Sequence, residues 1–221
     1  MTKGYDRDAD REALLAAVLA HVPFDGWSES AFQIGAKDAG ISIERALNAF
    51  PGGMAEVLAF YHDSADRWMI EALLREPLAE MKIREKVAKA IRLRLEQNRA
   101  HREAVRSGCS YLMMPQHAPL AAKLLYRTVD AIWYAIGDRS TDFNFYTKRG
   151  LLAAVYSATV LYWLNDKSPD CAATWSFLDR RIEEVMLVPK AIANLAKFAE
   201  RFPTPGTIFR RRPWRTRNAR G

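Results

Sequence analysis

Through the first 188 residues, apolar side chains recur at spacings of three and four. No stretch keeps the period of two that a half-buried strand requires. That pattern leaves an all-α chain. Its punctuation predicts where the helices lie. A first runs from about Asp8 to His21 and ends at Pro23. A second is capped by Ser28 and stops at Gly40, and a third follows Ser42 and stops at Phe50, ahead of Pro51-Gly52-Gly53. The fourth spans Met54 to about Arg75, the fifth Leu78 to about His101, and the sixth 102–114. On the fifth, Ile83, Val87, Ala90, Ile91, Arg94 and Leu95 form one stripe. Pro115 and Pro119 open a seventh, 119–136, which Gly137 stops. The eighth covers roughly 142–164, and the ninth starts at Ser168-Pro169 and runs to Val188. Pro189 is expected to break it, leaving a tenth helix, 190–202, that stands apart.

The charge is uneven along the chain. Residues 1–60 hold five Lys/Arg against nine Asp/Glu, whereas 197–221 hold eight Lys/Arg against one Glu. The overall +7 is therefore largely a property of the tail and describes the tail's partner, not the body's. Two cysteines, Cys109 and Cys171, read as reduced thiols, not as a disulfide framework. The longest uncharged apolar segment, Gly150 to Leu164, is too short to cross a bilayer. The first ten residues carry three Asp and no apolar core, unlike a signal or transit peptide, so a cytoplasmic protein is the expectation. The four histidines (21, 62, 101, 117) are scattered, with no second ligand at metal spacing, so neither a metal nor a cofactor is expected. No nucleophile–base pair or other acid–base constellation is visible, which argues against an enzyme.

The segment GWSESAFQIGAKDAGISIERALNAFPGG resembles the helix-turn-helix of TetR-type regulators. Its charges oppose DNA binding. A groove-reading helix must neutralise phosphates and offer Arg, Lys, Asn or Gln to base edges. The candidate stretch Ile41 to Phe50 has one Arg, one Glu and one Asn within a net-acidic region. A scaffold without a specific nucleic-acid partner is the expectation.

Two further segments, LLYRTVDAIWYAIGDRSTDFNFYTKRGLLAAVYSATVLYWL (124–164) and DKSPDCAATWSFLDRRIEEVM (166–186), are long and punctuated. With the helix-turn-helix, they make the chain similar to the Coq nine family of ubiquinone biosynthesis accessory proteins over about residues 10–188. The resemblance implies an all-α, TetR-like helical bundle. It has an N-terminal helix-turn-helix-like subdomain (8–55), a lipid-binding and dimerisation domain (56–188), and an amphipathic helix with a basic tail (189–221). It also implies a non-catalytic homodimer. That dimer binds an isoprenoid quinone or phospholipid and presents it to the demethoxyubiquinone hydroxylase on the inner face of a bacterial membrane. Pairing is expected through the eighth and ninth helices, where Trp175, Leu178, Ile182, Val185 and Met186 make either core or dimer seam. One departure is Phe145, where the family pattern has Trp; the apolar ring is kept and the indole N–H donor lost. A TetR-type ligand-sensing regulator is the alternative.

Particular residues follow. The eighth helix is apolar nearly all round, which means burial on every side or the lining of a cavity. Leu152, Tyr156 and Trp163 on it, with Leu125 on the seventh, are the candidate lipid contacts. Arg149 starts that helix and is the candidate for a head group; the alternative is an ion pair with Asp138 or Asp142. Between the seventh and eighth helices, the run Gly-Asp-Arg-Ser-Thr-Asp-Phe-Asn-Phe-Tyr-Thr-Lys-Arg (137–149) interleaves polar and aromatic groups more densely than a turn needs. Asp130, Trp133, Asp142, Phe145 and Tyr146 form a mixed acidic–aromatic set of the kind that dominates interfaces, and the family uses this region to contact the hydroxylase. At the far end, Ile192, Leu195, Phe198 and Phe202 make the apolar side of a short helix followed by six Arg and Trp214, a pattern suited to a membrane surface.

Overall fold

The computed structural model describes the backbone of residues 6–137 and 143–199, and the side chains of these apart from 143–145 and 186–199. Among the described residues there is no strand. The chain runs α1 (Arg7–Asp25), α2 (Glu29–Asp38), α3 (Ile43–Ala49), α4 (Gly53–Leu73), α5 (Ile83–Gln97), α6 (Arg102–Leu112), α7 (Ala118–Ala135), α8 (Phe143–Asn165) and α9 (Ala172–Ala199). Short 3₁₀ turns precede α5, α6, α7 and α9, where one longer helix or none was expected. The chain divides into two compact units, Met1–Ile182 and Glu183–Gly221.

The first three helices start where short polar side chains cap them. Asp6 accepts from the backbone N–H groups of Asp8 and Ala9, Ser28 from Ala31, and Ser42 from Arg45. Leu14 and Val18 of α1, Phe32 of α2, Phe50 and Leu58 form a core with essentially no exposed surface. α1 and α2 cross so closely that a Cβ on Gly35 would lie 2.6 Å from Val18 Cγ2 and 3.0 Å from its backbone N. Trp27 Nε1 donates to the carbonyl of Ala104 at 3.0 Å, tying this subdomain to α6.

Two proline expectations are corrected. Pro23 lies inside α1, which continues to Asp25. α9 passes through Pro189 to Ala199, so no separate tenth helix begins at Lys190. A proline removes one N–H and frees the carbonyl four residues earlier. A helix near its end, or one whose carbonyls reach water, absorbs that loss without stopping.

α8 is neither wholly buried nor wholly exposed. Leu152, Val155, Tyr156, Thr159, Val160 and Trp163 are buried, whereas Leu161 and Tyr162 are 55% and 39% exposed. Tyr162 stacks on Phe177 of α9, with ring centroids 4.4 Å apart. On α9, Leu178 and Ile182 belong to the core, while Trp175 lies half-buried beneath Arg92 of α5.

Candidate functional site

The interior of the first unit holds a cavity of about 400 Å³, within the size range of small-molecule pockets. α4 contributes Leu58, Tyr61, His62 and Ala65, and α6 contributes Ala104, Val105, Cys109 and Leu112. α7 supplies Leu124, Leu125 and Thr128, and α8 supplies Tyr156, Val160 and Leu161. Most of this wall is apolar because each helix turns its three-and-four stripe inward. Met113, 81% exposed, and Leu161 also line it, so the cavity reaches the surface between α6 and α8.

One part of the wall is polar and densely bonded. Arg94 lies on the buried stripe of α5, 5% exposed. Its Nε donates to Asp66 at 2.6 Å, Nη1 to the hydroxyl of Tyr156 at 2.6 Å, and Nη2 to Nδ1 of His62 at 3.3 Å. Thr128 donates to both oxygens of Asp66, at 3.1 and 3.0 Å. Tyr61 donates to Oδ1 of Asn98, whose Nδ2 donates to the carbonyl of Arg94. Burial, with the Arg94 cation beside it, pushes the His62 pKa down to about 3, so the ring is neutral. Burial pushes the Tyr156 phenol up to about 12, against the pull of Arg94. A cation and an anion are thus both buried, with each other as principal partner.

A second cluster lies where α7 and α8 meet. Arg149 is 8% exposed, and its Nε and Nη2 donate to Oδ1 of Asp130 at 2.9 and 2.6 Å. The ion pair is thus made with Asp130 of α7; Asp138 and Asp142, the partners expected from the sequence, lie outside the described residues. Lys148 Nζ lies 5.6 Å from the ring centre of Trp133, a cation–π distance. Tyr146, one turn before Arg149, is 74% exposed.

Sequence reasoning brought Tyr156 and Leu125 to the cavity wall, and both line it. Leu152 and Trp163 are buried core beside it; Arg102 lies 4.6 Å over the Trp163 ring. Arg149 is not among the lining residues; it sits with Asp130 and Trp133 instead. Asp142 and Phe202 lie outside the described residues, and Phe145, Ile192, Leu195 and Phe198 are described in backbone only. What the sequence reading missed is the polar network of His62, Asp66, Asn98 and Thr128 around Arg94. One signal was available: a lone Arg on the apolar stripe of the fifth helix.

Among the described residues, no group of three His, Cys, Asp or Glu side chains could hold a metal ion, and no helix is long and apolar enough to cross a membrane.

Comparison with known proteins decides the family. The chain is 32% identical over 197 residues to the mitochondrial ubiquinone biosynthesis protein COQ9-B of Xenopus laevis, covering 86% of this chain and 67% of that protein. The chain belongs to the COQ9 family. The COQ9 family model matches residues 118–189. Xenopus laevis COQ9-A is 32% identical over 207 residues, 90% of this chain and 65% of the relative; human COQ9 is 33% identical over 180 residues, 78% and 56% respectively. The chain thus spans a little under two thirds of COQ9-A and just over half of the human protein. The relatives are named as ubiquinone biosynthesis proteins of mitochondria. The fold is TetR-like: a TetR transcriptional regulator from Nitrosomonas europaea superposes with a TM-score of 0.66 at 18% identity, covering 80% of this chain and 97% of that one. The segment matched by the COQ9 model contains the Asp130–Arg149 cluster and Tyr156, whereas His62 and Arg94 precede it.

Proposed function

We propose that the chain is a non-catalytic accessory protein of ubiquinone biosynthesis. It holds an isoprenoid quinone intermediate or a phospholipid in the α4–α8 cavity and presents it to the demethoxyubiquinone hydroxylase at a membrane surface. The observation that carries this reading is the cavity itself: about 400 Å³, walled by apolar side chains from α4, α6, α7 and α8, and open beside Met113 and Leu161. The wall solvates an isoprenoid chain far better than a polar metabolite. The COQ9 relatives supply the pathway.

Asp130 and Tyr146, with Asp142 and Phe145 of the same stretch, are the surface offered to the hydroxylase, and Trp133, buried in α7, supports it from behind. Residues 190–221, with Ile192, Leu195, Phe198 and Phe202, are the part offered to the membrane, on the inner face of a bacterial cell. Two copies pair through the exposed side of α8 and α9, where Tyr162 leaves apolar surface uncovered within one chain.

A DNA-reading regulator is disfavoured by the face of α3. Its exposed positions are Ile43, Glu44, Arg45, Leu47 and Asn48, and the only cation, Arg45, is engaged by Asp10 at 2.7 Å. Such a face neutralises few phosphates.

The test is mass spectrometry of organic-solvent extracts of the purified protein, beside an Arg149→Ala control. Isoprenoid quinone or phospholipid near one per chain is the expected result. Extracts empty from both proteins overturn the reading. Equal recovery from the two keeps the lipid in the cavity and removes Arg149 from its head group.

A further inference from the structure

From Ser107 to Ala122 the chain carries no Asp, Glu, Lys or Arg, although 27% of its residues are charged. The stretch covers the end of α6, the turn after it and the start of α7. That corner lies at the surface. Met113 and Met114 are 81% and 38% exposed, and Pro115, Gln116, Ala118 and Pro119 are exposed with them. A solvated turn is ordinarily polar, and a run of exposed apolar residues is a defect unless it has a use. The corner's backbone is also largely satisfied from within. The N–H groups of Met113, Met114, His117 and Ala118 donate to the carbonyls of Cys109, Tyr111, Met114 and Pro115, while Pro115 and Pro119 have no N–H to satisfy. Tyr111 stacks on His117, with ring centroids 4.0 Å apart. Such a turn can leave water without stranding a row of donors.

The cavity opens at the same place. Met113 and Leu161 line it and are exposed, and Leu112 and Ala121, before and after the turn, line it too. An apolar molecule passing between a bilayer and this cavity through water would expose its whole length, at a cost proportional to its area. A mouth pressed against the bilayer removes that cost. The charges that bound the stretch are both cations, Arg106 (paired with Glu103) and Lys123, the sign that lipid phosphates attract. A protein-docking patch is instead anchored by aromatic and arginine side chains, and the corner's exposed residues include neither.

Resting on the lipid-holding reading above, we propose that the α6–α7 corner, residues 113–119, is a bilayer-contacting surface on the body of the protein, and that the cavity loads through it. Met113 and Met114, with Pro115 and Pro119, enter the headgroup region and bring the mouth against the acyl chains. This contact is distinct in kind from the basic tail. It carries no charge of its own, so its strength is set by buried apolar area and is insensitive to salt. Thioethers suit the task, because an unbranched, polarizable side chain adapts to an irregular and fluid surface.

The test uses the full wild-type chain and vesicles of saturated phosphatidylcholine and phosphatidylglycerol. Hydrogen peroxide transfers one oxygen atom to an accessible methionine thioether, giving the sulfoxide and water. Peptide mass spectrometry then reads the oxidation rates of Met113 and Met114, with Met81, half-buried and outside the cavity wall, as the internal control. Vesicles are expected to slow oxidation of both corner methionines several-fold and to leave Met81 unchanged. Met114 does not line the cavity, so a lipid inside the cavity would not by itself shield it. In a second arm the vesicles carry an isoprenoid quinone, and its uptake is followed in extracts of the repurified protein. Met114→Glu is expected to slow uptake about tenfold, the loss of one buried apolar side chain. Ile83→Glu, at an exposed position outside the cavity wall, is expected to leave the rate unchanged. If Met113 and Met114 oxidise as fast with vesicles as without, the bilayer contact is overturned and the corner is left to a protein partner. Wild-type uptake by Met114→Glu overturns the corner as the loading route. In both cases lipid holding stands. If the methionines are shielded but no quinone is taken up, the contact stands and the lipid reading falls.

Discussion

A buried guanidinium is stable only in company. Arg94 has Asp66, Tyr156, His62 and Thr128 around it, and the cost of dehydrating the cation is offset by that set as a whole. His62 is held neutral as part of the arrangement, first because its burial disfavours a charge and then because a second cation beside Arg94 would be uncompensated. The consequence is a pH dependence. The unfolded ring titrates near pH ~6.5, the folded one at about 3. Between those values the unfolded state binds more protons, so stability falls as the pH drops from 6.5 toward 3 and is fully present above 6.5. Urea denaturation at pH 7 and pH 4.5 should show a loss that shrinks in His62→Asn, whose amide oxygen still accepts from Arg94. An equal loss in both proteins would mean that His62 is not the group responsible. Arg94 was visible in the sequence as a charge on an apolar stripe. Its partners were not, because Asp66, Thr128 and Tyr156 come from three other helices, and spacing within one helix carries no information about which helix faces which.

At the scale of elements, caps and stripes translated well and prolines poorly. Ser28 and Ser42 start helices because their hydroxyls meet unbonded N–H groups, a local event written in a few residues. Whether a proline ends a helix depends on whether the freed carbonyl finds another donor, which is not local; Pro23 and Pro189 both lie within helices. The apolar circumference of α8 was legible, but not its division. One side covers the cavity and core through Tyr156, Val160 and Trp163, Leu161 sits at the cavity mouth, and Tyr162 stays partly exposed. Nor did the sequence mark the crossing of α1 and α2, where Gly35 lies against Val18. Gly35→Ala places a methyl 3.0 Å from backbone, which cannot rotate away, and should cost ~1–3 kcal/mol as an overpacked crossing. Gly150 of α8 is the control: no described atom lies within 4 Å of an added Cβ, and alanine there should raise stability by ~0.5–1 kcal/mol. Thermal melts of the two variants should move in opposite directions. Equal shifts would show that the α1–α2 crossing has slack.

For the whole molecule, the proposed function raises the question of how a chain without a membrane-spanning helix among its described residues would take a lipid from a bilayer. Charge is distributed to suit that task. The first 60 residues are net acidic, while residues 197–221 carry eight Lys/Arg and one Glu, interspersed with Phe202, Ile208, Phe209 and Trp214. Each basic residue close to an anionic surface contributes about 1 kcal/mol, and that attraction decays within a Debye length of ~10 Å at 0.1 M salt. Aromatic side chains add a term that salt does not screen. Binding of the full chain to vesicles containing anionic phosphatidylglycerol should therefore be strong at low salt and weaken steeply as salt is raised, without vanishing. Removal of residues 203–221 should abolish most of the salt-dependent part. Replacing Phe209 and Trp214 by Ser should instead lower the residual binding at high salt and leave the slope in place. Cosedimentation over a salt series separates the two terms. A truncated chain that keeps the full slope would assign membrane attraction to the body of the bundle, where the acidic N-terminal third makes it hardest to explain.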